Sequence, residues 1–78
     1  MQGPTEREVR VLLDEVTRKF AAKFPDHSYD YQVARYINTS GGTNWHVHGS
    51  GSTHSSGGGL WRYNQALDEI HDQHPIIV

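Results

Sequence analysis

Thr5-Glu6-Arg7-Glu8 has the spacing of a capping box. The Thr5 hydroxyl accepts from the amide of residue 8, and the Glu8 carboxylate reaches back to the Thr5 amide. Apolar residues then recur at Val9, Leu12, Leu13, Val16, Phe20 and Phe24, one stripe of a 3.6-residue helix. Glu6/Arg10, Asp14/Arg18 and Glu15/Lys19 are i,i+4 pairs in the favourable order. Lys19 and Lys23 suit the carbonyl end, and Pro25 disfavours helix at Phe24. The spacing predicts a helix over 6–24. A helix with one apolar stripe must bury it against a second layer, and the rest of the chain has to supply that layer.

Residues 29–37 are rich in aromatic and β-branched side chains and read as a strand. Tyr29, Tyr31, Val33, Arg35 and Ile37 share one face; Asp30, Gln32, Ala34 and Tyr36 share the other. Arg35 interrupts the apolar face, which places a bulge or strand end near it. Asn38-Thr39-Ser40-Gly41-Gly42-Thr43 is turn chemistry. Residues 44–48 alternate again, Trp45 and Val47 to one side, Asn44, His46 and His48 to the other. Together these form a hairpin with a loop of about five residues. Residues 49–59 contain five glycines and four serines with no large apolar side chain, and read as a flexible loop. Leu60-Trp61-Arg62-Tyr63 reads as a short third strand. Asn64 then caps a helix over 65–73, and Pro75 leaves Ile76-Ile77-Val78 as an apolar tail.

The expected architecture is one α+β domain over 1–78, in the order α-β-β-β-α, with an antiparallel sheet and both helices on one face. The alternative is α-β-β-α with a longer second helix. At 78 residues the fold buries only about 60% of its unfolded surface, so the core is thin. That makes a homodimer through a sheet edge or the C-terminal tail a reasonable remedy.

Composition removes several classes of function. Cysteine is absent, so disulfides, thiolate metal sites and cysteine nucleophiles are excluded. Seven Lys+Arg stand against nine Asp+Glu, a formal charge of −2, which is not a nucleic-acid footprint. The α-β-β-β-α order resembles the topology of double-stranded-RNA-binding domains, which implies basic residues on the second helix. Here that helix carries Asp68, Glu69 and Asp72. No apolar run suits a membrane span or a signal peptide, which points to a soluble, cytoplasmic protein.

Six histidines are the unusual feature. His46 and His48 project from one strand face, and with His54 they are candidate ligands for Zn, Ni or Cu. The same three support a rival reading as a metal-dependent or histidine-based hydrolase or nuclease. The 49–59 segment supports a nucleotide or phosphate site, although no P-loop pattern accompanies it. The leading expectation is different: a non-enzymatic, cofactor-free binding module for a macromolecule, namely a protein. It would be of the accessory or inhibitor type found among phages and mobile elements. Aromatic and arginine side chains are enriched at interface hot spots. The contact residues expected are Tyr36, Trp45, His46, His48, His54, Trp61, Arg62 and Tyr63.

Overall fold

The computed structural model describes residues 3–25, 27–52 and 59–78. Helix α1 (Glu6–Lys23) precedes strands β1 (Ser28–Ser40) and β2 (Thr43–Ser52), and helix α2 (Gly59–Gln73) follows. The fold is therefore a small α+β unit in the order α-β-β-α, with a two-stranded antiparallel sheet. Helix α1 packs beneath β1, α2 beneath β2, and the helices pack against each other. Among the described residues no helix is long and apolar enough to cross a membrane.

Helix α1 ends within one residue of its expected limits, because both ends are set by local chemistry. Thr5 Oγ1 accepts from the Glu8 amide at 3.2 Å, and Glu8 Oε1 accepts from the Thr5 amide at 3.1 Å. Phe24 caps the other end, its N–H donating to the Phe20 carbonyl before Pro25 turns the chain. Glu6–Arg10 and Glu15–Lys19 form as spaced, at 2.9 and 3.9 Å. Asp14 instead accepts from the Tyr31 hydroxyl and makes no ion pair with Arg18.

The hairpin is longer than the alternation suggested. Its connection is the two-residue turn Gly41-Gly42, with φ of 61° and 82°. Two consecutive positive φ values are what a type I′ turn needs, and glycine adopts them without a Cβ penalty. Pairing is regular from Ser28↔Ser52 to Arg35↔Trp45, and the register then shifts between Arg35 and Ser40, next to the arginine where the sequence placed a bulge or a strand end.

Three expectations for the second half are corrected. Residues 60–63 do not make a third strand; they belong to the first turns of α2. Tyr63 and Leu67, four apart, are both fully buried, and helical spacing is what brings them to one face. Asn64 is consequently not an N-cap. Its side chain pairs with the edge of β2, accepting from the Gly49 N–H at 2.9 Å and donating to the Gly49 carbonyl at 3.2 Å. The expected loop is also shorter, since residues 49–52 continue β2 and Gly59 starts α2. Residues 53–58 of that loop lie outside the described residues. Gly49 is buried with no room for a side chain: a Cβ there would stand 2.8 Å from both Leu67 Cδ1 and the Tyr63 ring.

The core is Val9 and Leu13 of α1, Trp45 and Val47 of β2, Tyr63 and Leu67 of α2, and Ile77 of the tail. The Trp45 indole N–H donates to the His74 carbonyl at 2.7 Å, and the Tyr63 hydroxyl meets Thr17 Oγ1 at 2.7 Å. The tail lies against its own chain. Ile77 exchanges two hydrogen bonds with the Asn44 amide, and the Val78 N–H donates to the Pro4 carbonyl.

Candidate protein-contact surface

Pleating sorts β2 as its alternation requires. Trp45 and Val47 are 0% and 3% exposed, while His46 and His48 face solvent. Across the hairpin Ala34 stands opposite His46, Gln32 opposite His48 and Asp30 opposite Ser50. All six are exposed, so the sheet face turned away from the helices is an uncovered polar ladder. Tyr36, 41% exposed and of the same alternation as Ala34, extends it toward the turn with one large aromatic side chain.

The other expected contact residues scatter. Trp45 and Tyr63 are fully buried and serve the core, so neither is available to a partner; their bulk and amphipathic character suit either role, and only the packing decides. Trp61, 67% exposed, and Arg62 sit on α2, in the helical layer and apart from the histidine face. His54 lies outside the described residues. The sequence reading missed Gln32. Gln32 was legible as a β1 residue opposite the apolar face, but its place beside His48 depends on register, which the Gly-Gly turn sets.

His71 is occupied structurally. His71 Nε2 stands 2.9 Å from both the Trp45 carbonyl and Thr43 Oγ1. A carbonyl can only accept, so Nε2 carries the proton. The His71 ring also packs on Trp45, centroid to centroid 4.9 Å, which pins the start of β2 to the end of α2. Among the described residues no three histidine or carboxylate side chains converge to hold a metal ion. Asp30, His48 and Ser50 are neighbours on the open face, yet no hydrogen bond joins them. Asp30 Oδ1 accepts from the Tyr31 N–H at 2.8 Å instead. A nucleophile needs a base within hydrogen-bonding reach and a third group to orient it, and the described residues of this face provide neither.

The perturbed groups lie on the covered side. Burial, with help from the Asp14 carboxylate, pushes the Tyr31 phenol up to about 12. Burial also raises Tyr63, against the lowering effect of its Thr17 hydrogen bond. Glu6 is held below the usual carboxylate range by its hydrogen bond from Arg10 and by the nearby Arg35 guanidinium, 3.6 Å away. These are shifts of packing and ion pairing around α1 and the residues packed on it.

No protein-family model, curated protein or solved structure matches the chain.

Proposed function

We propose that this protein is a non-enzymatic binding module that engages a protein partner through the uncovered surface of its hairpin. One observation carries the reading. A sheet of two strands is covered by both helices on one side and by nothing described on the other, where Gln32, His46, His48 and Ser50 offer hydrogen-bonding groups beside Asp30 and Tyr36. Protein interfaces combine such polar side chains with a few aromatic or apolar anchors. A charge-driven nucleic-acid interface would need a run of basic side chains here, and the ladder carries none.

Photo-crosslinking in extract of the source cells tests this. A benzophenone amino acid at position 48 or 32 should capture a discrete protein band. The same probe at Glu69, on the solvent side of α2, should not. His48→Ala combined with Tyr36→Ala should reduce capture by a probe at position 32 while leaving the circular dichroism spectrum unchanged. Equal labelling from positions 48 and 69, or none from 48 and 32, refutes the proposal.

A further inference from the structure

Backbone groups along an antiparallel strand point alternately toward the partner strand and away from it. On β2 the outward set is identified by its bonds. The Gly49 N–H and carbonyl go to Asn64, and the Trp45 carbonyl goes to His71 and Thr43. The paired residues on β1 are Tyr31 and Arg35, so Tyr31, Val33 and Arg35 turn their N–H and carbonyl groups outward. The Tyr31 N–H is met by the Asp30 side chain. From the Tyr31 carbonyl through Val33 to Arg35, no described residue hydrogen-bonds this edge outside the ladder.

The two edges therefore differ. Helices packed side by side occupy about 10 Å each, whereas strands are about 4.8 Å apart, so two helices extend beyond a two-stranded sheet by roughly one strand on each side. Beside β2 the chain uses that shelf itself: Asn64, His71 and the tail, through the Asn44–Ile77 and Asn44–Pro75 bonds, close the edge. Beside β1 no described residue does. Packing records the same asymmetry, because the inward side chains Trp45 and Val47 of β2 are buried whereas Tyr29, Tyr31 and Val33 of β1 all stay partly exposed.

The shelf beside β1 is basic. Arg10 lies over the Tyr31 ring at 5.9 Å, and Arg10 and Arg35 share the single Glu6 carboxylate. Arg7 and Arg18 occupy the stripe of α1 that carries Asp14, and both are exposed without an ion pair among the described residues. Four arginines thus face three carboxylates here, Glu6, Asp14 and the Asp30 side chain on the Tyr31 N–H, in a chain of net charge −2.

We propose that the free edge of β1 receives one extended strand of a partner protein, bonded to Val33 and its neighbours, with acidic side chains directed at the arginines of α1. This rests on the reading of the chain as a protein-binding module and names the mode and chemistry of that binding. Strand addition draws its affinity from main-chain hydrogen bonds and its specificity from alternate side chains. A second copy of this chain does not fit the same shelf, since its own α1 would need the space already held by the first.

Amide exchange followed by NMR is the test. In the free protein the Val33 and Arg35 amides should exchange at least tenfold faster than those of Gln32 and Ala34, which lie in the ladder. Millimolar Ac-Glu-Val-Glu-Thr-Glu-Val-Glu-Thr-NH2 should slow Val33 and Arg35 at least fivefold. The counterpart with lysine for glutamate should not. Arg7→Glu with Arg18→Glu, both exposed, should invert that preference. Protected Val33 and Arg35 amides in the free chain, or no slowing by either peptide, overturns strand addition. So does a decamer of single-stranded RNA that binds the arginines while both amides stay fast. Crosslinking from positions 48 and 32 reads the broader proposal separately, and can succeed where the peptides fail.

Discussion

Replacing Gly49 by alanine separates two accounts of the same residue by the sign of the effect. As part of a mobile loop, Gly49→Ala would stabilise the protein by about 0.4–1 kcal/mol, by restricting the unfolded chain. In the folded structure Gly49 is buried in β2, and the new Cβ would stand 2.8 Å from Leu67 Cδ1 and 2.8 and 2.9 Å from two carbons of the Tyr63 ring. Both side chains are fully buried, and the Tyr63 ring is held by Phe20 and Tyr29 at 5.5 and 5.0 Å and by its hydroxyl bond to Thr17. Neither has open space to move into. Overpacking of this kind costs about 1–3 kcal/mol. Set against the gain from chain restriction, the net loss lies between about zero and 2.6 kcal/mol, with a midpoint of about 1.3 kcal/mol. For a domain of this size 1 kcal/mol moves Tm by about 4–8 °C, so a fall of roughly 5–10 °C is expected at that midpoint in a thermal melt followed at 222 nm. Ser50→Ala, one residue on and exposed, is the control and should stay within about 0.5 kcal/mol of the parent. A Tm for Gly49→Ala equal to or above that of the parent would refute the placement of Gly49 between Tyr63 and Leu67, and with it the extension of β2 past His48.

Two further outcomes follow from the same packing. Asn64→Ala should lose about 1–3 kcal/mol in urea denaturation, because the buried Gly49 N–H and carbonyl lose their partner; a helix N-cap at that position would instead show its loss as fraying of α2. Tyr31 should impose an alkaline limit: burial pushes its folded pKa up to about 12, above the ordinary phenol value of 10.0, so the stability it contributes is complete below pH 10 and is lost as pH rises toward 12. The urea midpoint should fall across that window, and Tyr31→Phe should flatten part of the fall, with Tyr63, also raised, supplying the remainder. An unchanged slope in Tyr31→Phe would show that the phenol is not shielded as described.

Legibility in this sequence tracks the range of the interactions that decide each element. The capped helix α1 and the in-out order of Trp45, His46, Val47 and His48 are set by residues within a few positions of one another, so the sequence alone determined them. It also determined that histidines, not apolar side chains, would face away from the core of β2. The second half was different. Leu60-Trp61-Arg62-Tyr63 has enough aromatic content for a strand, and Asn64 has the chemistry of a cap. Both readings fail because Asn64 finds Gly49 fifteen residues away and Tyr63 finds Thr17 across the core. Glycine and serine at 49–52 look like a linker until the absence of a Cβ is matched to the Tyr63 ring that needs the space. Tertiary structure alone decided which aromatic side chains are spent on the core and which stay exposed. It also decided that the tail and Asn64 close the edge of β2 while no described residue closes that of β1. A strand's hydrogen-bonding edge carries no mark in its own side chains; whether it is open depends on where distant segments come to rest.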